Sequence, residues 1–208
     1  MLETDPRFPY LKVMKTAQFA ACIYITCLYP LTVTAAVPPA FFSCTDYHCD
    51  EGQTVSLNNR QWREIRALFS QTSTPAEERQ QIRKAIALFE TEVGLLTGTW
   101  RDRAKNAAGA GLPGQLDCIS ESKNTTTYLQ MLSEGGLLRW HRVEKRQVRH
   151  PLIFNVHWTA VILDESTGTR YAVDSWFLDN GQPPYIQPLE AWLSGRSFDR
   201  GQEDLGHE

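Results

Sequence analysis

Hydrophobic residues recur at helical spacing in three stretches of the chain, and each stretch predicts an amphipathic α-helix. The second helix begins at Thr74, where threonine is a suitable N-cap before a proline, and it is expected to end at Gly94. The third begins at Cys118 and is expected to end at Gly135 and Gly136, because glycine adopts the left-handed conformation of a helix C-terminus. The apolar faces consist of Trp62, Ile65 and Phe69 in the first helix, Ile82, Ala85, Ile86, Phe89 and Val93 in the second, and Ile119, Ser122, Thr126, Leu129 and Leu132 in the third.

Patterns typical of β-strands follow the third helix. Residues 137–148, 157–163 and 170–174 are each predicted to form a strand. The turn over 165–169 is so short that the strands on either side of it must lie antiparallel and adjacent. A closing helix is predicted over 188–193. The expected fold class is α+β, with the N-terminal helices packed on a small antiparallel sheet.

The first part of the chain has the pattern of an export signal. An uncharged run over 16–36 follows two lysines and ends in small residues, which predicts a signal peptide over 1–36 and a single domain over 37–208. An uncleaved membrane anchor is the alternative, although polar residues and a proline interrupt the run. A start at Met14 instead of Met1 gives a more typical signal. We expect an exported protein, periplasmic or secreted, without stable membrane insertion after cleavage.

Composition adds few constraints. The chain has 208 residues, is 42% hydrophobic and carries a formal net charge of −3, which suits an ordinary globular domain. Charged residues are scattered along the sequence rather than clustered, so no nucleic-acid partner is expected. Two of the histidines, His141 and His150, have no partner that the sequence suggests, and we expect them at the surface.

Export makes the cysteine count informative, since two of the five cysteines lie in the predicted signal. In an oxidising compartment Cys44 and Cys49 are expected to form a disulfide. The competing interpretation is a metal site with His48 as a third ligand, but no fourth ligand is in view. We therefore expect neither a metal nor another cofactor. Cys118 is left as a free thiol.

Cys118 has the setting of a cysteine nucleophile. It follows Asp117 and a predicted long loop over 97–114, and the free N–H groups and dipole of a helix N-terminus favour a thiolate over a thiol. A nucleophilic thiol needs a base, and the base needs a third group to orient it. His157 begins one predicted strand and Asp174 ends the next, so the hairpin brings them side by side. The competing interpretation of Cys118 is a small buried apolar residue.

This order of residues resembles the transglutaminase-like superfamily. The histidine follows the cysteine by 39 residues, and the aspartate follows the histidine by 17. Members of the superfamily carry a His-Ala-Trp-type strand, a glycine turn and an aromatic-x-x-Asp strand, and the bacterial transglutaminase-like cysteine peptidases add an Asp-Cys motif. The matching residues in this sequence are Asp117, Cys118, His157, Trp158, Gly168, Tyr171 and Asp174.

The resemblance implies a papain-like core with the cysteine at a helix N-terminus, and an exported thiol hydrolase or acyltransferase. Its substrates would be amide bonds of proteins, peptides or cell-wall peptide. Cys118 would attack the carbonyl carbon, His157 would move the proton and Asp174 would orient the imidazole. The N–H of Cys118 would form the oxyanion hole with a second donor from Gln115 or Trp100, an ordinary loop role for Gln115 being the alternative.

Two other functions remain open at the level of sequence. The superfamily often has proline after the aspartate, where this chain has Ser175, so a catalytically degenerate transglutaminase-like binding module is the main alternative. A redox protein that uses Cys118 with Cys44 and Cys49 is the other, although the chain has no Cys-x-x-Cys motif.

Overall fold

Two small antiparallel sheets and four α-helices make up the part of the chain described by the computed structural model, which confirms the predicted α+β class. The described residues are 37–150, 156–196 and 198, so the predicted signal peptide lies outside them. They belong to one compact unit, Ala35–Glu208. The helices are α1 (Asn59–Ala67), α2 (Pro75–Thr97), α3 (Cys118–Glu134) and α4 (Leu189–Leu193). The strands are β1 (Phe41–Cys44), β2 (Gly52–Val55), β3 (His141–Arg149), β4 (His157–Asp164), β5 (Arg170–Asp174) and β6 (Tyr185–Pro188).

The larger sheet has the strand order β3-β4-β5-β6, and each pair of adjacent strands is antiparallel. Helices cover it on two faces. Ala160, Ile162 and Val173 face the main core formed with α2 and α3, whereas Val161 and Ala172 pack against α4. Because side chains alternate between the faces of a strand, the two sets occupy alternate positions along β4 and β5. No described helix is long and apolar enough to cross a membrane.

The start of α2 is as predicted, but its end is not. The Thr74 side chain accepts a hydrogen bond from the N–H of Glu77 at 3.1 Å, and proline occupies the first turn. The helix passes through Gly94 and continues to Thr97, where Gly98 at φ +88° forms the cap. Gly94 is needed for packing, because a Cβ there would lie 2.9 Å from the backbone nitrogen of Trp100. The prediction that α2 ends at Gly94 is therefore wrong.

A second, two-stranded sheet is formed by the hairpin β1–β2, which the sequence patterns did not predict. Its connection contains a disulfide between Cys44 and Cys49 and a short turn of 3₁₀ helix, Tyr47–Cys49. Asn124 of α3 fixes this connection, because its side-chain oxygen accepts from the Cys44 N–H at 2.8 Å and its amide donates to the Cys44 carbonyl at 3.1 Å. The hairpin is thereby held against the helix that begins at Cys118.

The expectation that His141 lies at the surface is wrong. Its side chain is buried, and Nδ1 lies 2.8 Å from Oε1 of Glu78 in α2. The partner is distant in sequence, so no local pattern indicates it. His150 is exposed, as expected.

Candidate active site

Cys118 is the first residue of α3, and Asp117 is the N-cap. The Asp117 carboxylate accepts a hydrogen bond from the N–H of Ser120 at 2.9 Å, the usual role of an aspartate at this position. The Cys118 side chain is partly exposed, and its sulfur lies 3.8 Å from the carbonyl oxygen of Val156. The N–H of Cys118 lies in the first turn, where the helix offers it no internal acceptor. The thiol therefore lies at the positive end of a helix dipole with access to solvent.

His157 and Asp174 lie at the same edge of the larger sheet, because β4 begins where β5 ends. Nε2 of His157 donates to Oδ2 of Asp174 at 2.8 Å, and Asp174 is only 2% exposed. The same carboxylate oxygen accepts a second hydrogen bond, from Nε1 of Trp192 in α4, also at 2.8 Å. Two donors thus fix the carboxylate, and the carboxylate in turn fixes the orientation of the imidazole.

The ring of His157 and the side chain of Cys118 line the same pocket, and Cys118 is close enough to influence the pKa of the imidazole. Since Nε2 is bound to Asp174, Nδ1 is the nitrogen that remains for the thiol. Burial alone would lower the pKa of His157, but the hydrogen bond with Asp174, the nearby Cys118 side chain and the charges of both groups outweigh it and raise the pKa to about 9. At neutral pH the imidazole therefore carries a proton beside the sulfur.

Aromatic rings surround this imidazole on several sides. The ring centroids of Trp176, Phe177 and Trp192 lie 5.0, 5.1 and 5.6 Å from that of His157. They bury the ring and limit its rotation about the bond to Asp174. The arrangement leaves the sulfur side of the imidazole open to the adjacent pocket.

That pocket has a volume of about 510 Å³, and both Cys118 and His157 lie in its wall. Tyr47 and His48 of the disulfide loop form another part of the wall. The hydroxyl of Tyr47 donates to the carbonyl of Asn106 and accepts from the N–H of Gly109 at 3.0 Å, so the loop is tied to the segment that precedes α3. The remaining lining residues are Ala107, Ala110, Asp117, Arg149, Val156, Trp176 and Phe177.

His48 is placed by Asp117. Its Nδ1 lies 3.0 Å from Oδ2 of Asp117, and its backbone has a φ of 58°. The alternative in which His48 joins Cys44 and Cys49 in a metal site does not fit, because both sulfurs are in the disulfide. Among the described residues, no group of three or more His, Cys, Asp or Glu side chains could hold a metal ion.

Gln115 and Trp100, the predicted second oxyanion donors, do not reach the pocket. Gln115 is 8% exposed, and its side-chain amide donates to the carbonyl of Arg101 at 2.5 Å while its oxygen accepts from Asn106 at 2.8 Å. Trp100 is 51% exposed and lies beneath the guanidinium of Arg101. Gln115 supports the loop before α3 through these bonds, and neither residue is among those that line the pocket with Cys118, so the oxyanion donors stay a prediction.

Three buried carboxyl groups lie behind the start of α3. Burial is the largest influence on each, and it raises the pKa of Glu90 to about 8, that of Asp102 to about 6, and that of Glu121 well above its usual value. Asp102 and Glu121 are close enough for each to influence the pKa of the other. Asp102 also accepts from the Leu116 N–H at 2.8 Å, and thereby anchors the segment that leads into Cys118.

Sequence reasoning did not find Tyr47, Arg149 or Trp192 as parts of the site. Tyr47 reaches it through a hairpin that the patterns did not predict. The sequence predicts a closing helix that contains Trp192, but the contact of Trp192 with Asp174 depends on how α4 packs on the sheet. Arg149 stands opposite His157 in the β3–β4 pairing, a register that only the structure provides.

Comparison of the sequence with protein-family models finds no matching family, and comparisons with curated proteins and with solved structures also find no match.

Proposed function

We propose that this protein is a thiol-dependent hydrolase or acyltransferase that acts on amide bonds through Cys118, His157 and Asp174. The observation that supports it most directly is the His157 ring, which is hydrogen-bonded to Asp174 through Nε2 and lies in the wall of one pocket with Cys118. A nucleophile, a base and an orienting group in this order form the arrangement that activates weak nucleophiles in many hydrolases.

The first half of the reaction would form an acyl-enzyme. The Cys118 sulfur, as a thiolate beside the His157 imidazolium, attacks the carbonyl carbon of the amide. The N–H of Cys118 donates to the oxyanion that develops. When the C–N bond breaks, Nδ1 of His157 gives its proton to the leaving amine, and a thioester on Cys118 remains.

The second half would return the enzyme to its starting state. The now neutral His157 removes a proton from water, or from an amine, as that nucleophile attacks the thioester carbonyl. The C–S bond breaks and the product is a carboxylic acid or a new amide. The role of Asp174 would be to hold Nε2–H and to stabilise the imidazolium.

The resemblance to the transglutaminase-like superfamily agrees with this scheme. In the papain-like arrangement that we propose, α3 carries the thiol at its N-terminus and packs on the sheet whose β4 and β5 carry the base and the carboxylate. The disulfide between Cys44 and Cys49 supports a site of action outside the cytoplasm, because such bonds persist in oxidising compartments. The proposed substrates are proteins, peptides or cell-wall peptide.

The test is cleavage of a defined mixture of synthetic peptides by the purified protein, with products identified by mass spectrometry. Samples quenched in acid should also contain an acyl group on Cys118. Replacing Cys118 by Ser, which keeps the size of the side chain, should lower product formation by at least about 100-fold. Added primary amine should yield new amides if the enzyme is an acyltransferase.

The same experiment separates the proposed enzyme from the degenerate binding module. A binding module would retain peptides without changing their masses, with equal affinity in the wild type and the Cys118→Ser variant. Equal product formation by the wild type and a Cys118→Ala variant would refute the mechanism, because the thioester could not form.

A further inference from the structure

Arg149 is a cation built into the wall of the candidate site. It ends β3, and the β3–β4 register places it opposite His157. Directly opposed residues of an antiparallel pair project from the same face of the sheet, so their side chains are neighbours. Both line the pocket that contains Cys118.

The guanidinium of Arg149 is held in place. Nη1 donates to the carbonyl of Trp192, and the group lies 4.5 Å from the centre of the Trp192 indole. The same indole donates to Asp174, so Arg149 is positioned by the residue that also fixes the carboxylate of the site. Little side-chain entropy therefore remains to be lost when Arg149 binds a ligand.

The charge of Arg149 is not neutralised within the described part of the chain. No carboxylate there lies within ion-pair distance of it, and its buried Nε has no hydrogen-bond partner. Burial lowers the pKa of Arg149, and only the more distant charge of Asp174 acts against this. Two carboxylates of the site already accept other bonds, Asp117 from Ser120 and Asp174 from His157 and Trp192.

Arg146 provides a contrast in the same strand. Its Nη1 donates to the Ser122 hydroxyl at 2.9 Å and to the Ile119 carbonyl at 3.3 Å, so it binds the side of α3. It is not among the residues that line the pocket with Cys118. Arg146 therefore has a structural use that accounts for it, whereas Arg149 has a buried donor, Nε, without an acceptor among the described residues.

We propose that the substrate carries a free carboxylate close to the scissile amide and that Arg149 binds it. Arginine is suited to this role because its planar fork matches the two oxygens of a carboxylate. The aromatic walls supplied by Tyr47, Trp176 and Phe177 would hold the apolar part of the same substrate. This inference depends on the proposed function. The carboxylate could belong to a peptide C-terminus or to an acidic side chain.

Three alkylating probes distinguish these sources. N-bromoacetylglycine carries a free terminal carboxylate, N-bromoacetyl-aspartic acid α-amide carries a side-chain carboxylate, and N-bromoacetyl-asparagine amide is neutral. In each case the Cys118 sulfur attacks the methylene carbon and bromide leaves, so the product is a thioether. The measurement is the rate of labelling at Cys118, followed by mass spectrometry of the intact protein and its peptides.

We expect at least one anionic probe to react at least about tenfold faster than the neutral probe, and the faster one identifies the source of the carboxylate. Arg149→Gln should bring the ratio of anionic to neutral rates close to one, and Arg149→Lys should restore part of it. Arg146→Gln is the matched control and should keep the ratio. Added salt should reduce the ratio in the wild type, which tests the inference without any substitution.

Equal labelling rates for all three probes in the wild type would overturn the inference. It would also be overturned if Arg149→Gln left the ratio of anionic to neutral rates unchanged, or if Arg146→Gln lowered that ratio as much as Arg149→Gln does. The proposed function has a separate readout. If the neutral probe labels Cys118 equally fast with and without His157, the acyl-transfer mechanism fails, and this inference fails with it.

Discussion

Two histidine–carboxylate pairs lie at opposite ends of the same sheet, and only one of them adjoins a thiol. His157 is bonded to Asp174 and His141 to Glu78, and each pair has a nitrogen–oxygen distance of 2.8 Å. The antiparallel register of β3 and β4 separates them, because His141 stands opposite Asp164 at one end and His157 opposite Arg149 at the other. In distance alone the two pairs are identical.

The two pairs differ in the partner of the second imidazole nitrogen, the one that is not bonded to the carboxylate. Nε2 of His141 lies 3.3 Å from Nη1 of Arg79, and since a guanidinium only donates, that nitrogen must accept. The side chains of His141 and Glu78 are both 0% exposed. In His157 the second nitrogen faces Cys118 and the pocket. A histidine–carboxylate pair can thus act as a base only where the second ring nitrogen is left for a reacting group. Elsewhere the same pair joins secondary-structure elements, as His141 and Glu78 join β3 to α2.

The largest expected effect separates the two histidines by reactivity. His157→Ala should slow alkylation of Cys118 by iodoacetamide near neutral pH by about 100-fold or more, because the sulfur loses both its base and the adjacent positive charge. The measurement is the pseudo-first-order labelling rate, with circular dichroism to show that the variant is folded.

His141→Ala is the matched control, since it removes the same side chain from the other pair. Its labelling rate should stay within a few-fold of the wild type under conditions where the variant is folded. Similar loss of reactivity in both variants would mean that the two pairs are not functionally distinct.

A third buried carboxyl group, that of Glu90, is expected to make the stability of the fold depend on pH. Burial raises the pKa of Glu90 to about 8, and its Oε1 has no hydrogen-bond partner among the described residues. The stability that this group contributes is fully present below its unfolded pKa of 4.5 and is lost as pH rises through about 8. His157, raised from 6.5 to about 9, acts in the same direction over a higher range. Because a pKa change of one corresponds to about 1.4 kcal/mol, the loss is on the order of a few kcal/mol.

Thermal unfolding between about pH 5 and about pH 9 tests this sign. The melting temperature should fall as pH rises, and Glu90→Gln should flatten the fall because the amide does not titrate. Glu64→Gln, at an exposed position, should leave the slope as it is. A melting temperature that increases over this range would contradict the assignment of a protonated Glu90.

Glu78 is expected to matter for stability rather than for chemistry. Its carboxylate accepts from the N–H groups of Arg139, Trp140 and His141 as well as from the His141 ring. Glu78→Ala should lower the free energy of unfolding by about 3 kcal/mol, because several buried donors lose their acceptor. Urea denaturation measures this. A change below about 0.5 kcal/mol would show that water satisfies those donors.

Trp192 is expected to give the smallest effect of the series. Trp192→Phe keeps an aromatic ring next to His157 but removes the N–H that donates to Asp174. We expect labelling of Cys118 to slow by about fivefold, which corresponds to the loss of one hydrogen bond worth about 1 kcal/mol. A matched Trp158→Phe substitution, beneath Arg146, should leave the rate unchanged. Equal rates in wild type and Trp192→Phe would show that the imidazole alone orients Asp174.

The parts of this fold that the sequence predicts are those whose causes are local. Thr74 and the proline after it identify the start of α2, because capping involves residues within one turn. The short turn after β4 requires β4 and β5 to pair, and this brings His157 and Asp174 to one edge. Local signals also place Cys118 after a capping aspartate.

The parts that the sequence does not predict depend on contacts between distant segments. The bond between Glu78 and His141 joins residues 63 apart, so His141 looks like any polar residue at the start of a strand. Gly94 looks like a helix end, although its small size is needed where Trp100 passes close by. Arg149 and Trp192 acquire their places only when α4 is packed on the sheet. Propensity describes one segment at a time, and these features belong to pairs of segments.

The ring closed by Cys44 and Cys49 presents Tyr47 and His48 to the pocket, but it contributes none of the three side chains Cys118, His157 and Asp174. In the proposed enzyme, substrate recognition and reactivity would therefore be encoded by separate stretches of the gene. If the proposed function holds, substitutions within the ring would change which substrates bind and leave the three reacting side chains unchanged. Because the ring lines the pocket but holds none of these three side chains, it is also a suitable site for grafting new loops in directed evolution.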